Sequence, residues 1–238
     1  MHTIKRAIIL AAGKGNRMRP LTDQIPKPLV EVNGIRMIDS VIEALHKNGI
    51  YEIHIVVGYL KEKFSVIKDK YPEVDIIENP YYDYCNNISS LYVARKHIDD
   101  TIILDGDQMI YDPAILGVEY ERSGYNAVKW NSPTEEWLME VKDGIVRSCS
   151  RTGGTNGWRL YSVSRWTRED GQKLQADVEY EFERGNTDIY WDDVAMFLHF
   201  DSYSLGIHEM KETDIIEIDS IDELIAIDDR YKQYKEGI

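Results

Sequence analysis

An α/β fold built on a mostly parallel sheet is predicted by three features of this 238-residue chain. Apolar runs of strand length recur at residues 7–10, 53–57, 74–77 and 101–104, segments of helical period lie between them, and a glycine-rich turn follows the first run directly. Ile38, Val41, Ile42 and Leu45 recur at helical spacing ahead of Gly49, and Leu60, Phe64 and Ile67 do the same ahead of Pro72, so both segments read as crossover helices. In a sheet wound this way ligands sit beyond the carboxyl ends of the strands. That rule gathers residues 11–28, Gly58 with Tyr59, residues 79–90 and residues 105–107 on one rim.

Beyond Gly124 the texture changes. Short strands are expected at 127–130, 137–141, 145–149 and 158–163, joined by turns at Pro133, Asp143-Gly144 and Gly153-Gly154, which predicts a small antiparallel insertion. Thr167 and Asp170 are placed to start a helix that runs to about Glu183 and ends at Gly185. Ser220 with Glu223 three residues on makes a capping box ahead of Ile221, Leu224 and Ile225, so a last helix is expected there. With 43% hydrophobic content, no repeats and no low-complexity linker, residues 1–238 are read as one domain.

The formal charge of -14 repels nucleic acid and anionic membrane surfaces and argues against both as partners. The sign is uneven, because residues 1–36 carry seven Lys or Arg against two Asp or Glu, a local +5 suited to a small polyphosphate. Cys85 and Cys149 match no metal spacing, and the first nine residues resemble neither a signal peptide nor a membrane span. A reducing cytoplasm is therefore the expected setting. The oligomeric state is left open, a homodimer included.

The turn GKGNR lacks the Lys-Ser/Thr end of a P-loop, and Met18 stands where a dinucleotide fingerprint needs its third glycine. The longer pattern LAAGxGxRxxPxTxxxPKPL is met from Leu10 to Leu29 and strongly resembles the signature of nucleotidyltransferases that make sugar nucleotides and related activated head groups. One departure is Asn16, where that family usually has Ser or Thr. Within the family the resemblance is greatest to bacterial CTP:phosphocholine cytidylyltransferases, through VGYLKEKF, DYCNNISSLY, LDGDQMI, EEWL, DIYWDD and EIDS. It implies a Rossmann-like, nucleotide-diphospho-sugar transferase fold with a nucleotide-binding half, 1–123, and an acceptor-binding half, 124–238. It also implies the reaction CTP plus phosphocholine to CDP-choline and pyrophosphate.

The same resemblance supplies candidate roles. Ala11, Ala12, Gly13, Gly15 and Arg17 are expected at the triphosphate, where the glycines let backbone NH groups approach and Arg17 offers a fork of donors. Lys27 resembles the lysine that holds the acceptor phosphate against the α-phosphorus, so Arg17 and Lys27 are the expected catalytic pair. Asp107 and Asp219 resemble the metal ligands, with Mg²⁺ as the implied cofactor; Asp105 is read as nearer to structural. Gly58, Tyr59, Asn87, Ser89 and Ser90 are expected around the base, although Asn87 or Ser89 could simply start the helix toward His97. No Ser, His or Cys nucleophile is required, since a phosphate monoester with a second pKa of about 6 is already a dianion at neutral pH.

All five tryptophans fall in the second half, where the fold keeps its acceptor pocket. Trp137, Tyr190 and Asp192, with Glu217 as a weaker addition, are the expected cage for a quaternary ammonium, which has no NH to donate and is held by ring faces beside a carboxylate. Trp130, Trp158 and Trp166 are expected in the core. A rival acceptor, 2-aminoethylphosphonate or phosphoethanolamine, carries a primary ammonium that favours carboxylates, and Asp188, Asp192 and Asp193 would suit it. A catalytically silent nucleotide-binding regulator is the alternative of another class.

Overall fold

In the computed structural model, which describes residues 1–234, the four apolar runs of the first half become β1 (Arg6–Ala11), β2 (Glu52–Val57), β3 (Asp75–Glu78) and β4 (Thr101–Asp105). They lie in the order β4-β1-β2-β3 and every pairing among them is parallel. Helices α1 (Met37–Lys47) and α2 (Ser65–Lys70) cover one face, α3 (Ile88–Ala94) and α4 (Arg168–Glu183) the other.

Because successive strand residues point to opposite faces, β1 divides its side chains between two cores. Ala7, Ile9 and Ala11 pack with Ile38, Val41, Ile42 and Leu45 of α1, while Ile8 and Leu10 pack with Ile88 and Leu91 of α3. A continuous apolar run is what such double burial demands. The caps read from sequence are also present: the Thr167 hydroxyl accepts from Asp170 N, and Ser220 and Glu223 form a reciprocal capping box at α5 (Ile221–Ile227). The run at Leu60 is only partly α-helical, with a 3₁₀ turn at Lys61–Phe64 preceding α2.

The strands of the second half continue the same sheet. They are β6 (Gly124–Trp130), β7 (Leu138–Lys142), β8 (Ile145–Ser150), β9 (Gly157–Trp166) and β10 (Gly206–Glu209), bringing it to nine strands. They pair antiparallel to one another except that β10 runs parallel to β6. β9 is the joint. Its carboxyl-terminal residues pair with β4, its Trp158 and Arg159 pair with β7, and β6 lies along its other edge. From β9 the pairings run through β7, β8, β10 and β6 back to β9, a closed circuit of five strands. Trp166 is fully buried at the joint, whereas Trp130 and Trp158 are half-buried and carry Arg159 and Lys129 over their rings.

A further two-stranded ribbon, β5 (Gln108–Ile110) with β11 (Ile215–Glu217), sits beside the carboxyl ends of the parallel strands. Under the signature loop lies a third small core in which Met18, Leu21, Val30 and Met37 meet Met109, Ile218 and Leu224. Full burial of a Met side chain contributes about 1.5–3 kcal/mol, so this floor fixes the loop against the carboxyl-terminal segment. Met18→Ala is expected to cost about 2–5 kcal/mol in urea unfolding with an unchanged slope. A loss under about 1 kcal/mol would mean that polar contacts alone hold the loop.

Candidate active site

The loop that leaves β1 folds back on itself around Gly15, whose φ of 63° lies in the left-handed region. A Cβ there would come 3.0 Å from Thr22 Cγ2 and 3.1 Å from Lys27 Cβ, and the Gly15 carbonyl accepts from the Thr22 hydroxyl at 2.8 Å. The close packing brings Lys27 under the loop. Its ammonium, with the side chain only 9% exposed, lies 2.6 Å from Asp107 Oδ2 and 2.7 Å from Asp219 Oδ1. Arg17, largely in solvent, reaches the same Asp219 oxygen at 3.0 Å.

Burial works to lower the pKa of Lys27, but the charges of Asp107 and Asp219 outweigh it and the net shift is upward. Burial likewise works to raise Asp219, and Lys27 and Arg17 reverse it to a net lowering. The node thus ties the loop to the β4–β5 turn and to the segment between β11 and α5.

Two adjoining cavities meet at this node. The first, about 480 Å³, is lined by the end of β1 and the start of the loop from Leu10 to Gly13, by Gly15, Arg17 and Lys27, and by Asn86, Asn87 and Ser90. The second, about 330 Å³, is bounded by Trp137, Tyr190, Asp192, Glu136 and Glu217; Arg17, Asn87, Asp105, Asp107, Tyr190 and Asp219 border both. A small side pocket of about 160 Å³ opens between Gly13, Tyr82, Asn87 and Ser89. A larger cavity, about 570 Å³, opens elsewhere around Tyr120, Arg165 and His208 and contains none of the signature residues.

Most of the residues singled out in the sequence are brought together here. Ala11, Ala12, Gly13, Gly15, Arg17, Lys27, Asn87 and Ser90 line the first cavity; Trp137, Tyr190, Asp192 and Glu217 line the second; Asp107 and Asp219 stand between. Gly58 and Tyr59 line none of the three cavities and act on the wall instead. A Cβ at Gly58 would fall 2.6 Å from Tyr82 Cβ, so Gly58 admits the ring that closes the side pocket, and the Tyr59 NH holds the Ala12 carbonyl at 3.1 Å. Asn87 sits at the start of α3 without capping it; its side-chain oxygen accepts from Trp191 N at 2.8 Å. Ser89 is buried and donates to the Asn86 carbonyl at 2.8 Å. The Asn79 amide donates to the hydroxyls of both Ser89 and Ser90, at 3.0 and 3.1 Å.

The second cavity is a corner of two rings over carboxylates. Trp137 and Tyr190 stand at 89° with centroids 6.0 Å apart, and Phe197 backs Trp137 at 5.2 Å. Burial pushes Asp192 up to about 7, and its Oδ1 has no hydrogen-bond partner. Burial also raises Glu217 to about 7 even though Gln108 donates to it at 2.9 Å. Asp105, read as structural from the sequence, borders the cavities, and burial followed by the charges of Asp107, Asp192 and Glu217 lifts it well above the usual carboxylate range. Asp193 is turned away, bound by Arg151 Nε at 2.8 Å and by Tyr190 N at 2.9 Å. A cation placed over this floor would stabilise the ionised carboxylates that burial disfavours.

Sequence reading did not single out Glu136, Leu160 and Ser162, nor, within the 79–90 stretch that it placed on the rim, Asn79 and Tyr82. Glu136 lies inside the EEWL stretch, and Leu160 and Ser162 are alternate residues of β9, so period two would have placed them on one face. Nothing local marks Tyr82, which matters through its contact with Gly58.

The MobA-like NTP transferase domain model matches residues 7–137, more than half of the chain and the whole span from β1 to the Trp137 wall. The chain belongs to the MobA-like NTP transferase family. It is 38% identical over 230 residues, 94% of this chain and 92% of the other, to the 2-aminoethylphosphonate cytidylyltransferase of Lancefieldella rimae. It is 33% identical over 234 residues, 95% of this chain and 98% of the other, to the choline-phosphate cytidylyltransferase of Streptococcus pneumoniae. The solved CTP:phosphocholine cytidylyltransferase of S. pneumoniae superposes with a TM-score of 0.88 at 32% identity, covering 96% of this chain and 99% of that one. As a member of the MobA-like NTP transferases with these relatives, the protein is a nucleotidyltransferase.

The raised Asp192 carboxyl has a direct consequence for stability. Its folded pKa of about 7 exceeds the usual carboxylate value, so between about pH 4 and 7 the folded chain keeps a proton that the unfolded chain releases. Stability of the ligand-free protein therefore falls as pH rises through that window. Asp192→Asn is expected to remove this contribution and gain up to about 4 kcal/mol over wild type at pH 8, with far less gain at pH 4. Urea unfolding at both pH values measures it, and equal gains would remove the titration argument.

Proposed function

We propose that the protein transfers a cytidylyl group from CTP to the phosphate or phosphonate of a small amine, releasing pyrophosphate. The observation that carries this reading is the pair of adjoining cavities that share Asp107 and Asp219, the two carboxylates that hold Lys27: a glycine-lined, Arg17-flanked cavity with Lys27 on its wall, and a ring-walled, carboxylate-floored one beside it. An acceptor oxygen forms a bond to the α-phosphorus while the bond between that phosphorus and the α–β bridging oxygen breaks, and pyrophosphate carries the electron pair away.

The loop backbone and Arg17 would orient the triphosphate, and the Asn87–Ser90 side would face the nucleoside. Lys27, between the cavities, would hold the acceptor oxyanion in line with the α-phosphorus. Since its ammonium is already desolvated, an anion there gains more than it would from a surface lysine. Asp107 and Asp219, which converge on one cation, form the all-oxygen donor set that Mg²⁺ prefers. Mg²⁺ held by them would neutralise charge developing on the triphosphate.

For the amine, the unpartnered Asp192 Oδ1 favours an NH donor. We therefore take 2-aminoethylphosphonate as the first acceptor, a reading that the Lancefieldella rimae relative supports. Phosphocholine is the second reading, favoured by the Trp137–Tyr190 corner and by the pneumococcal relative. Two ring faces contribute about 0.5–2 kcal/mol each to a quaternary ammonium, whereas a charged hydrogen bond to a buried carboxylate contributes about 1.5–3 kcal/mol.

Pyrophosphate release with CTP, UTP, ATP and GTP against 2-aminoethylphosphonate, phosphocholine and glucose 1-phosphate tests the reading. CTP with 2-aminoethylphosphonate is expected to give the highest kcat/KM. A preference for phosphocholine would select the second reading, and turnover with glucose 1-phosphate alone would refute both.

Lys27→Met is expected to lower kcat about 100-fold or more while the fold persists. Near-wild-type turnover in that variant would remove Lys27 from the reaction.

A further inference from the structure

The pole opposite the cavities, at the amino ends of the parallel strands, carries a second cluster that nucleotidyl transfer does not use. His54 stands on β2 opposite Asp75 of β3 in the parallel register, Glu52 begins β2, and His97 closes the short turn after α3. His54 is 7% exposed, and its ring lies against that of His97 with centroids 3.7 Å apart. Nδ1 of His54 is 3.2 Å from Asp75 Oδ2. On the other side, Nε2 is buried without a hydrogen-bond partner and faces Glu52 Oε1 at 3.5 Å.

A carboxylate behind one imidazole nitrogen takes its proton and leaves the other nitrogen as a lone pair, which is how metal-binding histidines are commonly oriented. With the proton on Nδ1, Nε2 presents its lone pair to the Glu52 carboxylate, and a cation standing between the two relieves the repulsion. The ligand atoms of Glu52, His54 and His97 all lie within 4.8 Å of one another. We propose that Glu52, His54 and His97 form a site for one divalent transition-metal ion of the Zn²⁺ class, with Asp75 orienting His54 from behind and water completing the coordination.

Two imidazoles and one carboxylate are a donor set for Zn²⁺, Co²⁺ or Ni²⁺, whereas Mg²⁺ prefers oxygen alone. The site is therefore chemically distinct from the Asp107–Asp219 pair. Burial, then the neighbouring His54 and Arg6, hold the His97 ring below its ordinary pKa. Arg6 competes for the same oxygen, with its Nε 2.8 Å from Glu52 Oε1, while its other end is held by Asp99. Glu52 is half exposed and can turn its second oxygen inward. The bound ion would tie β2 to the turn after α3 and, because the unfolded chain lacks the cluster, would stabilise the fold by linkage.

The test uses the untagged full chain, stripped with chelator and kept in excess Mg²⁺. Zn²⁺ binding is titrated by calorimetry, Tm is followed against Zn²⁺ concentration, and Co²⁺ absorption reports nitrogen ligation. One Zn²⁺ per chain is expected, with a Tm that climbs with Zn²⁺ in both wild type and Asp107→Ala. His97→Ala and Glu52→Gln are each expected to weaken binding about tenfold or more. Glu52 is exposed, so its variant serves even where His97→Ala perturbs folding. Absence of saturable binding, wild-type affinity in both variants, or loss of Zn²⁺ in Asp107→Ala would overturn the site.

Discussion

The ammonium of Lys27 between Asp107 and Asp219 joins three segments that are remote in the chain: the glycine loop, the turn after β4 and the segment entering α5. A buried ion pair adds little net stability, because desolvation offsets most of the attraction. Its effect is on position. With one cation and two anions held together, each of the three segments has a single placement at which no buried charge is left alone. Met18, Met37, Met109 and Leu224 supply the apolar floor that makes this placement stable, and Gly15 supplies the turn that lets Lys27 reach it.

Around the node the protein concentrates negative charge where it cannot be hydrated. Asp105, Asp192 and Glu217 are all driven toward neutrality by burial, and Asp192 Oδ1 has no partner within hydrogen-bonding distance, although the Tyr125 hydroxyl acts on the same carboxyl. Such an arrangement costs stability in the empty protein and is relieved by a cation of the right size. The basic loop on the other side of the node has the opposite need. The proposed substrate pair, a polyanion and an amine-bearing anion, would meet both needs.

The parallel half of the fold was legible because its strands are buried on both faces and so read as unbroken apolar runs; β1, β2 and β4 lie within a residue of the expected runs at both ends. The caps of α4 and α5 were legible because a hydroxyl and a carboxylate three residues apart have a local purpose. β5, β10 and β11 were not, since three or four residues paired to distant strands leave no periodic trace. At the site, the loop residues and the Trp137–Asp192 wall followed from stretches of pattern. Asp105 did not, because the difference between a turn aspartate and a buried one lies in Asp107, Asp192 and Glu217, which only the fold brings near it. The same applies to Gly58, whose purpose is the space it leaves for Tyr82.

The closed circuit through β9 has a consequence for how copies of the protein meet in solution. The circuit joins β8 to β10 through the Ile145–Gly206 pairing, and at the far end of the sheet β3 is the strand with no neighbour along its outer side among the described residues. This strand is four residues long, with Asp75 and Glu78 exposed at its two ends and Lys61 paired to Glu78 beside it. Short length and outward charge are what discourage a second molecule from docking by strand addition. The nine-stranded sheet is thereby guarded against edge-to-edge association along its β3 flank.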